Sequence, residues 1–360
     1  MAYTTIDDPS AHHQTKIYTG NGNDGQAYTF DGNSDMQPDW LWVKNRSNTG
    51  PYSGHIFDSS RGANKSFFPD ADNAEATNSS YGYLGAFQSD GFTVTSGSSG
   101  DERVNNNNDT YVMWGWKANG GTATATGSES GNNPAYSVQA NTTAGFSIVT
   151  YTGTGAAGTV PHGLGAVPNV LLVKVRSAQD PWSVYHSANT SAPETDYLVL
   201  DSSAATADHS NRWNDTAPTS SVFTVEASGT VNLDAGTFVA YCFTEIQGYS
   251  KFGSYEGNGN TNGTFVYTGF SPAWVMVKRT DSGNNWHIHD NKRVTHNSNN
   301  KTLYANLSNV EATEDFDMLS NGFKLRESGG GYNASGGDYI YMAFAHHPFV
   351  SSKGVPTTAR

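Results

Sequence analysis

The sequence has little of three things on which many protein classes depend: cysteine, positive charge and long apolar segments. Its 360 residues include one cysteine, Cys242, which cannot form an internal disulfide and which fits assembly in a reducing cytoplasm. Lys and Arg number 20 against 33 Asp and Glu, a net charge of −13 that argues against binding to nucleic acid or anionic lipid. No stretch approaches the roughly 20 apolar residues of a membrane span, so we expect no membrane insertion.

Helical periodicity is also missing, whereas turn-forming and aromatic residues are abundant. Aromatic residues make up 12% of the chain, and there are 39 glycines among many Asn, Ser and Thr residues. Aromatic and β-branched residues favour strands, and Gly and Asn favour the tight turns between them. The composition therefore predicts an all-β protein made of short strands.

Three segments of the chain are related to one another. Pro38–Lys44, Pro168–Lys174 and Pro272–Lys278 each start at a proline, continue through an apolar stretch and end at a lysine. We call them the Pro-to-Lys strands. They are separated by domain-sized intervals, which indicates one β unit used three times.

The repeat divides the chain into six parts. These are an N-terminal arm (1–15), unit 1 (16–119), a Gly/Thr/Ser-rich linker (120–143), unit 2 (144–248), unit 3 (249–350) and a C-terminal tail (351–360). Each unit contains six or seven short apolar segments separated by turn residues, the pattern of an antiparallel β-sandwich. The predicted fold is a series of tandem antiparallel β-sandwich units, each with its own core.

An ordered set of short motifs resembles one known family. The set comprises the opening Tyr18-Thr-Gly-Asn-Gly22, Val160-Pro-His-Gly-Leu-Gly165, the Pro-to-Lys strands, Asp58-Ser-Ser-Arg-Gly62, the Ser-Asp/Asn-Gly-Phe turns and a closing aromatic strand. Over residues 16–349 the chain resembles virion proteins of tailed bacteriophages, common in marine and cyanobacterial phages, that carry tandem concanavalin-like jelly-roll domains. Unit 2 departs from the pattern because it lacks the Asp-Gly-Phe turn and the Arg-Gly pair, so a ligand surface built on them would be lost there.

The resemblance implies a non-enzymatic structural protein of the virion, assembled in the host cytoplasm as a tail or tail-fibre component. It implies a homo-oligomer, for which we favour a trimer, in contact with other virion proteins and with host cell-surface polysaccharide. A capsid decoration protein is the alternative in the same class. A polysaccharide depolymerase is the alternative from a different class, and a free-standing lectin is a third.

Four aromatic residues in polar segments are candidates for stacking against a sugar. They are Tyr81, Tyr83, Trp213 and Tyr332. The other interpretation is that each ring folds back and caps its own sandwich. The tryptophans of the apolar segments, Trp40, Trp114, Trp274 and Trp286, are predicted to be core residues.

Candidates for catalysis and metal binding are weaker. Glu311, Glu314, Asp315 and Asp317 cluster, but we place them in a solvated loop rather than on a strand facing a sugar, as a glycosidase requires. His287 and His289 lie two apart on a predicted strand and so share a face, yet the other units do not repeat them. We therefore predict no enzyme activity, no metal and no cofactor.

Overall fold

A computed structural model of the chain describes residues 2–47, 50, 52–100 and 103–357. The protein is 42% strand and 2% helix, and all strand pairs are antiparallel. Within these residues the helices are a single 3₁₀ turn, Pro9–Ala11, and one short α-helix, α1 (Gly229–Asn232). Neither helix reaches the length and hydropathy needed to cross a bilayer, and the described residues contain no other candidate. The predicted all-β sandwich fold is confirmed.

The strands fall into the three units. Unit 1 holds β1 (His13–Thr19), β2 (Gln26–Tyr28), β3 (Trp40–Asn45), β4 (His55–Asp58), β5 (Lys65–Ser66), β6 (Ala76–Thr77), β7 (Tyr83–Gln88), β8 (Gly91–Thr95) and β9 (Thr110–Trp116). Unit 2 holds β10 (Ala125–Gly127), β11 (Ala135–Asn141), β12 (Phe146–Thr152), β13 (Gly158–Pro161), β14 (Val170–Val175), β15 (Ser183–His186), β16 (Asp196–Val199), β17 (Ala207–Asp208), β18 (Val222–Val225) and β19 (Thr237–Phe243). Unit 3 holds β20 (Ser250–Glu256), β21 (Phe265–Tyr267), β22 (Phe270–Arg279), β23 (Trp286–Asp290), β24 (Asn299–Tyr304), β25 (Ala312–Leu319), β26 (Gly322–Leu325) and β27 (Asp338–Pro348).

All three units share one topology. In each, the first long strand pairs with the last, the last pairs with the Pro-to-Lys strand, and that strand pairs with the one after it: β1-β9-β3-β4, β12-β19-β14-β15 and β20-β27-β22-β23. A second layer is formed by β2-β8-β7, β13-β18 and β21-β26-β25. Between the two layers, each unit has a separate apolar core. Because the order of pairing repeats, residues of the three units can be matched one to one.

A fourth core lies between the units. It gathers large apolar side chains from the outer faces of all three first layers, including Trp40, Trp114, Tyr241 and Trp274. At its centre, the matched residues Trp116, Phe243 and Phe344 pack together, with the Phe344 ring 5.4 Å from Trp116 and 5.8 Å from Phe243. The units therefore surround one shared core as a three-membered ring with approximate threefold symmetry.

The segment 120–143, for which the sequence predicts a linker, instead carries strands β10 and β11. Strand β11 pairs along its length with β12 and extends the first layer of unit 2. Val138 on β11 is fully buried in the core of that unit, and Tyr136 packs against it. These two bulky residues, spaced two apart, give an otherwise polar segment one apolar face, and that face is why it joins the sheet.

The arm 1–15 also differs from its prediction as a polar extension. Ile6 is 3% exposed and belongs to the central core, and Thr4 is buried. The hydroxyl of Tyr3 donates to the carbonyl oxygen of Gly269 in unit 3 at 2.7 Å. From the tail, the backbone N–H of Ser352 donates to Asp7. The arm is thus ordered by contacts with its own chain.

Candidate functional site

The lysine that ends each Pro-to-Lys strand is buried and crosses to a neighbouring unit. Each ammonium group donates to a backbone carbonyl of that unit: Lys44 to Tyr304 (2.7 Å), Lys174 to Asp72 (2.8 Å) and Lys278 to Ser203 (3.2 Å). Unit 1 thus reaches unit 3, unit 2 reaches unit 1, and unit 3 reaches unit 2. Burial lowers the pKa of all three lysines to about 8. The lysine at the end of each Pro-to-Lys strand therefore links its unit to a neighbour, and the three lysines together close the ring of units.

A buried ion pair lies at the interface of units 1 and 2. Asp58 and Arg61 contact each other with both side chains fully buried. The hydroxyl of Tyr241, from unit 2, donates to Asp58 Oδ2 at 2.6 Å. Glu75 joins the two units, since it accepts from Arg61 at 3.1 Å and from Arg176 of unit 2 at 2.8 Å. The charges of this interface therefore neutralise one another inside the protein.

The interface of units 3 and 1 repeats this arrangement with matched residues. Asp290 and Arg293 form a fully buried pair, with Nε 2.5 Å from Oδ2. Trp114 takes the place of Tyr241 and donates its indole N–H to Asp290 Oδ2 at 3.0 Å. Glu311 accepts from Arg46 of unit 1 at 2.6 Å and lies 3.4 Å from Arg293. The two interfaces thus share a buried Asp–Arg pair and a glutamate that contacts two arginines, and they use different neutral donors to the aspartate.

The interface of units 2 and 3 has neutral residues at the positions where the other two interfaces have ion pairs. His186 matches the aspartates and donates its Nε2–H to the carbonyl oxygen of Tyr341 at 3.1 Å. Burial lowers the pKa of His186 to about 4, so the ring is neutral at physiological pH. Thr206 and Thr280 stand where the other interfaces have a glutamate and an arginine, joined by a backbone hydrogen bond of 2.9 Å. The arginine that unit 2 lacks belongs, in units 1 and 3, to a buried ion pair at an interface.

Two of the four aromatic residues predicted to bind sugar are core residues. Trp213 is 2% exposed and donates its indole N–H to the carbonyl oxygen of Asp196 at 3.0 Å inside unit 2. Tyr332 is 3% exposed and donates its hydroxyl to the carbonyl oxygen of Asp315 at 3.0 Å inside unit 3. Neither ring presents a face to solvent, so the capping interpretation applies to both.

The other two aromatic residues lie close together in unit 1. Tyr83 begins strand β7 and packs half-buried against the core of that unit. Tyr81 is 37% exposed and stands at the edge of a groove of about 380 Å³. The groove is lined by Ser53, Phe68, Asn73, Ala76, Thr77, Asn78, Ser79, Ser80, Tyr81 and Arg103. Tyr81 is thus the predicted residue that remains available to a ligand.

The guanidinium of Arg103 is the charged group of this groove. Its central carbon lies 4.9 Å from the ring centre of Tyr81 and 4.9 Å from that of Phe68. Its Nη1 donates to Nε2 of His55 at 3.3 Å. Burial holds the pKa of His55 well below its ordinary value, and the nearby Arg103 charge lowers it further. His55 is therefore a neutral acceptor, and the guanidinium contacts both rings.

The carboxylates predicted to lie in a solvated loop belong instead to a strand and its flank. Glu314, Asp315 and Asp317 lie on β25. Glu314 Oε2 is 2.7 Å from Nδ1 of His287, and Glu314 Oε1 accepts from the hydroxyl of Tyr304 at 3.0 Å. The alternation of Glu314, Phe316 and Met318, which face inward, with polar residues explains the strand. Glu314 thus serves hydrogen bonds within unit 3, whereas Glu311 on the flank pairs with Arg46 of unit 1.

The two histidines on β23 do share a face, as their spacing predicts, but that face is packed. His289 is fully buried and stacks on Phe316 with ring centres 4.3 Å apart. Burial holds the pKa of His289 well below its ordinary value. Across the part of the chain that the structure describes, no group of three or more His, Cys, Asp or Glu side chains is placed to hold a metal ion. Cys242 is likewise buried, which raises the pKa of its thiol to about 12.

Sequence reasoning missed Arg103, the most distinctive residue of the groove. Arg103 lies in a polar segment with no apolar periodicity, and its ring partner Phe68 is distant in the sequence. One signal was present: arginine occurs here in a chain in which Lys and Arg total only 20. An isolated arginine near a candidate aromatic residue merits attention because the two side chains attract each other.

Comparison with known proteins identifies one family but no individual protein or solved structure that is similar to the chain. No curated protein and no solved structure matches the chain. A family model matches residues 8–348 and so spans the last part of the arm and all three units. The match treats the ring as one module, in agreement with the shared core. The chain therefore belongs to the family described as a domain of unknown function, DUF7483.

Proposed function

We propose that the protein is a non-enzymatic structural component of a tailed-phage virion, located on the tail or its fibres and in contact with host surface glycan. The observation that carries the proposal is that the repeated polar residues form contacts between the units. Lys44, Lys174 and Lys278, and the pairs at Asp58 and Asp290, all hold the units to one another. A protein whose repeated residues hold its units together is suited to a structural role in a particle that must withstand mechanical force.

The sequence resemblance to virion proteins with tandem jelly-roll domains gives the proposal its class. The three-membered ring adds a geometric argument, because tails and fibres impose rotational symmetry on the parts that they carry. We retain the homo-oligomer, with a trimer favoured, as the expected assembly. Light scattering on the purified chain would report its mass, and a monomer would overturn this part of the proposal.

The location is tested in particles. Virions of a tailed phage that encodes this chain would be purified, analysed by mass spectrometry and labelled with gold-conjugated antibody raised against the chain. We expect the chain in the particles and the gold on the tail or fibres. Gold on the capsid would favour the decoration protein instead. Abundant chain in the lysate but none in the particles would overturn a virion role.

A further inference from the structure

A cavity of about 170 Å³ lies between unit 1 and unit 3, next to the arm. On one side it is lined by the arm residue Asp8 and by His13 and Thr15 of strand β1, and on the other by Ala273 and Ala345 of unit 3. Its volume is several times the roughly 30 Å³ that one water molecule occupies in the liquid. The cavity is therefore large enough for a small organic molecule.

The unit 3 side of the cavity lacks a polar side chain that the other two interfaces have. Ala273 takes the place of Asp39 in unit 1 and Asn169 in unit 2, since each directly precedes the residue that pairs with the closing aromatic. Asp39 accepts from the hydroxyl of Ser59 at 2.6 Å, and Asn169 donates to the hydroxyl of Ser187 at 3.1 Å. The methyl group of Ala273 is smaller and forms no such bond, so it leaves space at this interface alone.

The unit 1 side of the cavity is polar where the matched strands are mostly apolar. His13 and Thr15 are 3% and 4% exposed. The matched residues of the other two units are Phe146, Ile148, Ser250 and Phe252. Within the part of the chain that the structure describes, Nε2 of His13 and Oγ1 of Thr15 have no hydrogen-bond partner. Two buried polar atoms on one strand therefore lack partners in a cavity that both residues line.

The imidazole of His13 is a hydrogen-bond acceptor. Its Nδ1 lies 3.0 Å from the carbonyl oxygen of Gly115, which only accepts, so Nδ1 carries a proton and donates it there. Burial lowers the pKa of His13 to about 3, against the opposing effects of that bond and of the Asp290 carboxylate, so the ring is neutral. Nε2 therefore presents a lone pair. A buried acceptor without a partner is unfavourable, and a hydroxyl group would satisfy it.

The charged groups of the lining are already engaged with one another. Asp31 accepts from Lys292 at 2.8 Å. Asp8 interacts electrostatically with His347, whose ring packs on that of His346 with centres 3.9 Å apart. An anionic ligand would lie beside two carboxylates, and like charges in contact are costly. The lining thus favours a ligand that has hydroxyl groups and no charge.

We propose that this cavity binds one neutral sugar residue. One hydroxyl of the sugar donates to Nε2 of His13, and others bond to Thr15 Oγ1 and to the side-chain amide of Asn291, which also lines the cavity. The methyl groups of Ala273 and Ala345 lie against its C–H groups. Apolar surface beside convergent polar groups is the usual composition of a small-ligand site. The inference rests on the proposed function for the source of the sugar, a host surface glycan.

The test is calorimetric titration of the full chain with the methyl glycosides of glucose, galactose, mannose and N-acetylglucosamine. We expect at least one of them to bind with a Kd of about 1 mM or below. The C6 carboxylic acid of the sugar that binds most tightly should bind at least about tenfold more weakly, because its charge would lie near Asp8 and Asp31.

Three variants locate the binding. Thr15→Val keeps the shape of the side chain, removes one hydrogen bond and should weaken binding at least about threefold. His13→Phe and Ala273→Asn install the residues of unit 2, and we expect each to weaken binding at least about tenfold by removing the acceptor or filling the space. Melting temperatures check that each variant is folded, and Thr15→Val decides the result if a larger substitution unfolds the chain.

The matched control is Thr302→Val in unit 3. It removes a hydroxyl that is also fully buried and without a partner, but that lies outside the cavity, so the affinity should not change. No binding of any of the four glycosides at up to about 10 mM would overturn the inference and leave the cavity to water. Equal affinity in the parent and Thr15→Val would overturn it by placing the sugar elsewhere, and an acid that binds as tightly as its sugar would overturn the claim for a neutral ligand.

The inference and the proposed function can fail separately. Particles that carry the chain while none of the glycosides binds would leave the virion role standing and overturn the sugar site. A chain that binds a glycoside in this cavity but is absent from purified particles would support the site and overturn the virion role.

Discussion

Tyr241 donates its hydroxyl to Asp58 Oδ2 at 2.6 Å, so a side chain of unit 2 completes a buried ion pair of unit 1. Tyr241→Phe keeps the ring in the central core but leaves a buried carboxylate with one partner fewer. We expect the free energy of unfolding to fall by about 1–3 kcal/mol, the usual cost of an unsatisfied buried group. Urea denaturation followed by tryptophan fluorescence would measure it.

The control for this change is Tyr185→Phe, which alters a buried tyrosine in the core of unit 2, away from Asp58. Its cost should be clearly smaller. Equal costs for the two variants would mean that the bond to Asp58 adds nothing to the cohesion of units 1 and 2.

The buried lysines make stability depend on pH above neutrality. Burial lowers the pKa of Lys278 to about 8, whereas an unfolded lysine titrates near 10.5, so between these values the unfolded chain binds more protons. Stability should therefore rise with pH in this window, by up to about 1.4 kcal/mol per pH unit for each lysine. Above pH 10 it should fall, because burial raises the pKa of tyrosines such as Tyr151 and Tyr255 well above that of unfolded tyrosine.

Lys278→Met isolates one lysine from the others. The variant should be less stable near pH 8, since three carbonyl groups lose their donor, and its stability should rise less steeply from pH 8 to 10. Lys353→Met, at an exposed tail position, serves as the control. A variant with the slope of the parent protein would show that Lys278 titrates as it does in the unfolded chain.

Trp274 is 1% exposed and packs against Trp116 and Phe344 in the central core. We expect Trp274→Ala to cost about 3–5 kcal/mol, the range for truncating a core aromatic residue. Val167→Ala, at a position that is 52% exposed, should change stability by less than about 0.5 kcal/mol. Denaturant unfolding would compare them, and a Trp274→Ala midpoint equal to that of the parent would contradict the burial.

The arm should contribute to stability through Ile6. Ile6→Ala removes a buried side chain from the central core and should cost about 2–5 kcal/mol. Asp7→Ala, next in sequence, removes only an exposed contact with Ser352 and should cost far less. If the two variants unfold at the same urea concentration, the arm does not share the core.

The repeat and the strands can be predicted from the sequence, but the arrangement of the three units in a ring cannot. The sequence predicts the Pro-to-Lys strands from residues such as Trp40, Trp274 and Lys278, and the predicted burial of the two tryptophans is confirmed. The burial of Lys278 is not predicted. The shared core has one signal in the sequence: Trp40-Leu-Trp-Val43 and Val170-Leu-Leu-Val173 are continuously apolar rather than alternating. A continuous apolar strand is buried on both faces, so it needs a second core outside its own sandwich.

The candidate site was harder to predict because its contacts are distant in sequence. Trp213 and Tyr332 are flanked by polar residues, so local composition placed them in loops, whereas long-range packing buries them. Tyr81 has equally polar neighbours and stays exposed. Local sequence does not separate these cases, since burial depends on which strands lie above a ring. Arg103 is identified only by its contacts with Phe68 and Tyr81, which lie on earlier segments of unit 1.

Covalent linkage of the three units has a consequence for variation. In a ring of three identical chains, one codon change alters every interface at once, and a residue that suits one neighbour must suit all. Here each interface can change alone, as Thr206 and Thr280 show where the other two use charged partners. In the same way, one unit can acquire a residue such as Arg103 while the other two units keep the common fold without it. A single chain can thus have one unit that differs from the other two within a fold of approximate threefold symmetry.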